Sequence, residues 1–280
     1  MIINISERLK LICDMFDCGD TLADVGCDHG YVGIKLIKDD KFKHVIAMDV
    51  NAGPLEGAMN NIRSQALEKR ISCRLSDGLD ALGDNEADAV VIAGMGGSLI
   101  CRILENNIHK LKGIKQLVLG AQSEIEDVRR FLYEHNLAID KEDMLLEDGK
   151  YYQIIRTFYC DNIKQYYFDN YSDDNNELFD FFGPYLLKSK NMVMHDFLLE
   201  RKEKTKKVID VLECNTVFYR NKQTDAEIDV NSEDIKSFDC DTDNDIKSDD
   251  MTKKKSRSLK RIGELKSYIR LIDRGLEYYK

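Results

Sequence analysis

From Thr21 to Tyr159 the chain alternates short β-branched runs with stretches of helical hydrophobic spacing. TLADVG is followed by GIKLIKD, HVIAMDV by PLEGAMNNIRSQAL, AVVIAG by SLICRILENNI and QLVLGA by EIEDVRRFLYEH, with ISCRLSD between the second and third pairs. Connections of this length join parallel strands through crossover helices, which predicts an α/β fold with a largely parallel sheet. The last two runs, MLLEDG and QIIRTFY, are separated only by the KYY region and have no room for a helical crossover. They are predicted to form an antiparallel hairpin at one sheet edge.

Further along, the period lengthens to that of amphipathic helices. Leu186, Val193, Phe197, Val208 and Leu212 lie near helical spacing, and Leu259, Ile262, Leu265, Ile269, Ile272 and Leu276 follow steps of three and four. Two such stripes predict an antiparallel, coiled-coil-like pair. Between them, Thr224–Asp250 is rich in Asp, Ser and Asn with isolated apolar residues, too few to offset the entropy of ordering, and reads as a mobile insert. The expected organisation is an α/β domain over residues 1–160 and a helical arm over 161–280 that carries the insert at 224–250.

Charge changes this picture. The 280 residues carry 41 Lys and Arg against 51 Asp and Glu, a net charge of −10, which taken as an average argues against a polyanionic partner. By segment, however, residues 1–184 hold 20 basic and 32 acidic side chains, 185–223 hold 9 and 5, 224–250 hold 2 and 11, and 251–280 hold 10 and 3. The basic excess sits on the two helices that flank the acidic insert. Their charged faces are either the solvated outside of a helical hairpin or a surface for a nucleic acid. Eight cysteines without a C-x-x-C pair are expected to be reduced, mostly buried thiols, and no residue pattern points to a metal. With no long apolar run and a polar N-terminal stretch, the expected setting is cytoplasmic, without a membrane and with a monomer favoured.

In a parallel α/β sheet, ligands lie outside the carboxyl ends of the strands. After the first strand stands Asp24-Val25-Gly26-Cys27-Asp28-His29-Gly30-Tyr31, a turn leading into a helix. A dinucleotide fingerprint would carry glycine at the place of Asp28, where backbone meets pyrophosphate. A carboxylate there suits a ligand with cationic groups, such as S-adenosylmethionine. Asp49, nineteen residues past Gly30, is placed to accept ribose hydroxyls. Asp77-Gly78-Leu79 follows the third strand, where Asp77 would accept from an adenine amino group and Leu79 would pack on the ring. The fourth strand ends in Ile92-Ala93-Gly94-Met95-Gly96-Gly97, whose small residues admit close approach of a second molecule. No Asn-Pro-Pro-Tyr or Asp-Pro-Pro-Tyr element is present, so ring-nitrogen chemistry is expected over methylation of an exocyclic amine.

These elements together resemble the TrmK-type bacterial tRNA adenine-N1 methyltransferases. The resemblance runs from about Ser6 to Tyr159, includes Gly53-Pro54 and Glu147-Asp148-Gly149-Lys150-Tyr151-Tyr152, and resumes at Phe182-Gly183-Pro184-Tyr185-Leu186-Leu187. It implies a Rossmann-like class I S-adenosylmethionine-dependent methyltransferase domain followed by a helical, coiled-coil-like C-terminal domain, acting on adenine 22 of tRNA. The chain departs from the family in having Gly120-Ala121 before Gln122-Ser123 where a Gln-Pro is usual after the fifth strand, and Gly33 where a Pro is usual.

Asp24, Gly26, His29, Gly30, Asp49, Asp77, Gly78, Leu79, Ala93 and Gly94 are thus expected at the cofactor, and Tyr31, Met95, Gly96 and Gly97 at the substrate. Adenine N1 already has a lone pair, so alignment in a dry pocket is the main requirement. Asp28 is the candidate catalytic group, accepting a hydrogen bond from the exocyclic amine of the target base; its competing role is to hold the cofactor's ammonium. A methyltransferase of the same fold with another RNA or a small metabolite as substrate, and a cofactor-binding interaction module, are the alternatives.

Overall fold

The computed structural model describes residues 5–171, 176–228 and 244–280. The sheet strands are β1 (Gly19–Val25), β2 (Phe42–Asp49), β3 (Ile71–Leu75), β4 (Ala89–Met95), β5 (Gln116–Ala121), β6 (Leu137–Glu147) and β7 (Lys150–Tyr159). Around them run α1 (Glu7–Asp14), α2 (Tyr31–Lys38), α3 (Ala52–Ser64), α4 (Gly97–Asn106), α5 (Ile108–Leu111) and α6 (Ile125–Glu134). After the sheet come α7 (Ile163–Tyr171), α8 (Asn176–Phe182), α9 (Pro184–Lys188), α10 (Met192–Ile228) and α11 (Asn244–Glu277).

The strand order is β3-β2-β1-β4-β5-β7-β6. Strands β1 to β5 pair in parallel, and β7 runs antiparallel to both β5 and β6. The hairpin expected at one edge is therefore present, with β7 inserted between β5 and β6. Its two-residue turn, Asp148-Gly149, has positive φ at both positions (50° and 74°), the conformation that matches strand twist in tight hairpins. Strand β6 begins seven residues earlier than the MLLEDG run suggests. Asp140, Lys141, Glu142 and Asp143 break the apolar alternation there, and ion pairs make the charges tolerable: Asp140 with Arg156 at 2.9 Å and Glu142 with Arg129 at 2.8 Å.

Alternate strand residues feed two cores, one on each face of the sheet. Val90, Ile92 and Leu119 pack with Ile100 and Leu104 of α4 and Val128 of α6. Val91 and Val118 pack with Ile12 of α1, Ile34 of α2 and Leu55 and Ile62 of α3. Helices thus cover both faces, and the carboxyl edge stays open for a ligand.

The chain divides into two compact units, Met1–Met194 and His195–Lys280. The first extends past the expected boundary at 160 because α7, α8 and α9 belong to it. The hydroxyl of Tyr167 accepts from the Ile139 amide at 3.3 Å, and the Arg129–Glu142 pair is closed over by α8 and α9. At Gly183 any Cβ would lie 2.5 Å from Oε2 of Glu142, which accounts for glycine in the Phe182-Gly183-Pro184 element.

In the second unit α10 and α11 run antiparallel. Lys202 meets Asp273 at 2.5 Å, Glu213 meets Lys266 at 2.7 Å, and the ring of His195 lies 4.9 Å from that of Tyr279. Ile209, Ile262, Leu271 and Ile272 are buried, whereas Val208 and Leu259 of the expected stripes face outward, 49% and 52% exposed. Residues 229–243, the middle of the expected acidic insert, lie outside the described residues, whereas its two ends, 224–228 and 244–250, are helical as the end of α10 and the start of α11. Of the seven cysteines described, only Cys13 and Cys27 are buried, fewer than expected, and none forms a disulfide. No described helix is long and apolar enough to cross a membrane. Among the described residues, no group of three or more His, Cys, Asp or Glu could hold a metal ion.

Candidate active site

The carboxyl ends of β1 to β4 open on one cavity of about 650 Å³ in the first unit. Four carboxylates line it, Asp24, Asp28, Asp49 and Asp77, along with Gly26, His29, Tyr31, Gly78, Ala93, Gly94 and Met95. Each strand ends on a device that fixes these groups.

At β1 the amides of Gly26 and Cys27 both donate to the Met48 carbonyl, at 2.8 and 3.0 Å. Tied to β2 in this way, they are not free to cradle a phosphate. Asp24 is 4% exposed, and its Oδ2 has no hydrogen-bond partner among the described residues. Burial pushes its carboxyl up from 3.8 to about 7; the Gly33 amide opposes the rise and the neighbouring Asp49 adds to it. A buried carboxylate oxygen without a partner disfavours the charged form, in keeping with the direction of this rise.

The chain then turns through Asp28–Gly30, with His29 in a left-handed conformation (φ 62°, ψ −5°), uncommon for a residue with a Cβ. Helix α3 holds it there: Asn61 Nδ2 donates to the His29 carbonyl at 2.9 Å. Its ring stacks near Tyr31 (5.5 Å between centroids), and its Nε2 lies 3.5 Å from Oδ1 of Asp28. The Asp28 side chain is 72% exposed, in contrast to Asp24.

At β2, Asp49 Oδ1 accepts from the Asn51 amide at 2.8 Å, which orients the carboxylate beside the cavity. Beyond β3, the Ser76 hydroxyl donates to the Gly78 carbonyl and accepts from the Ala81 amide, both at 3.0 Å, and so shapes the turn that presents Asp77. At β4 the pairing with β5 slips by one residue between Ala93 and Met95, a bulge at Gly94 (φ 82°) that turns both neighbours toward the cavity.

Four expected residues are placed elsewhere. Leu79 is fully buried in the core with Leu82 and Ile103, because the turn before it points Asp77 and Gly78 outward and Leu79 in. Gly30 is the buried left-handed residue that opens α2. Gly96 and Gly97 open α4 and pack on the segment after β5; the Gly97 amide donates to the Ser123 carbonyl at 3.0 Å. The first residue after β5 is Gln122, since the strand runs through Gly120 and Ala121. A glutamine thus lines the cavity directly after the fifth strand.

Other lining residues carried no sequence signal of their own. Ser76 and Asn51 stand one or two positions from residues that did. Arg8 and Leu9 come from α1, far from any strand end.

Strands ordered in this way, with an antiparallel β7 and a cavity of acidic strand ends, define a class I S-adenosylmethionine-dependent methyltransferase. The family profile of the tRNA (adenine(22)-N(1))-methyltransferases, TrmK, matches residues 22–234, and the chain belongs to this family. It is 32% identical over 221 residues to the tRNA (adenine(22)-N(1))-methyltransferase of Bacillus subtilis, covering 79% of this chain and 91% of that one. The crystal structure of Streptococcus pneumoniae Sp1610 in complex with S-adenosyl-L-methionine is similar at a TM-score of 0.66 and 32% identity, over 73% of this chain and 91% of that one. The B. subtilis TrmK structure gives 0.74 at 25% identity, over 98% and 99%.

Proposed function

We propose that this cavity holds S-adenosylmethionine between Asp24, Asp49 and Asp77, and that the chain methylates N1 of adenine 22 in tRNA. The observation that carries the reading is the convergence of Asp24, Asp28, Asp49 and Asp77 on one cavity at the carboxyl ends of the strands. Carboxylates gathered there fit the cofactor's cationic ammonium, and a pyrophosphate would be repelled by them. Bound there, S-adenosylmethionine supplies an electrophilic methyl group on a sulfonium. Asp49 accepts ribose hydroxyls, and Asp77 accepts from the adenine amino group.

Asp28 takes the catalytic role in this scheme. Asp24 serves the ammonium from inside the wall, which leaves the exposed Asp28 free to accept from the exocyclic amine of the target adenine. That contact raises the nucleophilicity of N1 and offsets the positive charge the base acquires. Tyr31 and His29 offer a stacked pair of rings beside it, suited to a base taken out of its stack. The basic segments 185–223 and 251–280, together carrying 19 Lys and Arg, are the source of charge for holding the rest of the tRNA.

The test is to incubate tRNA with the protein and methyl-labelled cofactor and digest it to nucleosides. Label is expected in N1-methyladenosine, and is expected to vanish for a tRNA with another base at position 22. Label elsewhere, or none, would overturn the reading.

A further inference from the structure

We infer that Arg8 and Arg102 form a two-sided phosphate clamp at the mouth of this cavity, gripping the RNA backbone on either side of the target base. The inference rests on tRNA being the substrate and adds a site on the catalytic unit itself.

The two arginines reach the cavity from opposite faces of the sheet. Arg8 belongs to α1, which packs in the core with α2 and α3, and Arg102 to α4, which packs in the other core with α6; both line the same opening. Arg8 is held in place through the hairpin. Glu147, at the end of β6, accepts from the amides of Glu7 at 2.7 Å and Arg8 at 3.3 Å, while Ser6 accepts from Leu9 at 3.3 Å. The Arg8 guanidinium then lies over the Tyr152 ring, 5.1 Å from its centroid. Such stacking occupies the flat face and leaves the edge donors available for an anion.

Neither guanidinium forms an ion pair among the described residues. Most other arginines of the unit are paired with acids, among them Arg74 with Glu86, Arg129 with Glu142 and Arg156 with Asp140. Two unpaired cations beside this cavity gain nothing from the cofactor's sulfonium or ammonium, and its single carboxylate cannot account for two arginines that enter from opposite faces, so a further ligand with negative charge fits them. Residues 1–184 have 12 more acids than bases and would repel an RNA backbone at the place where the base must enter. Phosphates flanking an extruded adenine meet that requirement, and arginine takes them with two donors at once.

The test uses the full chain and its R8A, R102A, R8A/R102A and R8K/R102K variants. tRNA affinity is measured over a salt series, methyl transfer is measured at saturating cofactor, and cofactor affinity is measured by calorimetry. Each alanine is expected to lower kcat/KM for tRNA about tenfold. Each is also expected to reduce the slope of log affinity against log salt by about 0.7 to 0.9, with cofactor affinity unchanged. The lysine pair should keep the slope and recover only part of kcat/KM. Unchanged slopes and kcat/KM would overturn the clamp. So would weakened cofactor binding with an unchanged slope, which would assign the arginines to the cofactor's carboxylate. Because the slope is read without turnover, a wild-type protein that binds tRNA but does not methylate it would defeat the functional reading alone.

Discussion

Arg129 and Glu142 form an ion pair of 2.8 Å in which the two side chains are only 2% and 0% exposed. Further donors of the guanidinium are used by the Asp180 carbonyl at 3.0 Å and Gln153 Oε1 at 2.6 Å, and Glu142 Oε2 accepts from the Tyr185 amide at 2.9 Å. The pair thus joins α6, β6, β7 and the α8–α9 turn. Removing one partner strands a buried charge, so Glu142→Ala should cost about 3 to 5 kcal/mol, and replacing both with apolar residues of similar volume should cost much less. Urea melts of the single and double variants check this; a single variant that loses under about 1 kcal/mol would contradict it.

That pair also shows what was legible in the sequence. The alternation of runs and the strand-end acids were visible because each depends on neighbours close in the chain. The start of β6 was hidden, since its charges look like a loop until Arg129 and Arg156 are brought to them from other elements. Leu79 failed for a local reason: a residue type that suits a ring contact was turned inward by the Ser76 turn. Arg8 could not be found from strand ends at all, because α1 reaches the cavity through Glu147, about 140 residues away.

Asp24 sets a pH dependence. Its carboxyl is raised from 3.8 to about 7, so between these values the folded, cofactor-free protein holds a proton that the unfolded chain has lost. The associated stability is full below about pH 4 and is lost as pH rises through about 7. Asp24→Asn should therefore be more stable than wild type near pH 8, by up to roughly 4 kcal/mol, and similar near pH 4. It should also bind cofactor at least tenfold more weakly. Melting curves across pH with parallel calorimetry test both; a variant less stable near pH 8 would contradict the assignment.

For Asp28 the expected signature is kinetic. Asp28→Asn keeps the shape and loses the charge, so kcat for tRNA methylation should fall about a hundredfold while cofactor affinity stays within about twofold. An intact kcat with a raised KM for cofactor would move Asp28 from the substrate to the cofactor's ammonium.

Gly94 and Gly97 stand three residues apart and should fail in different ways. At Gly97 a Cβ would lie 2.6 Å from the Glu124 carbonyl oxygen and 2.7 Å from that of Ser123, backbone atoms that cannot swing aside. Gly97→Ala should therefore lower the melting temperature by several degrees, through separation of α4 from the segment after β5. At Gly94 the nearest atom is Gln122 Nε2, 3.9 Å away, so the cost is only that of a left-handed conformation, about 1 to 2 kcal/mol. The chain at Gly94 can escape that cost by flattening the bulge, which would turn Ala93 and Met95 away from the cavity. Gly94→Ala should thus keep most of its stability and lose at least tenfold in kcat/KM for tRNA. Melting curves and methylation rates of the two variants, measured side by side, check this contrast; the reverse order would show that the bulge does not aim the rim.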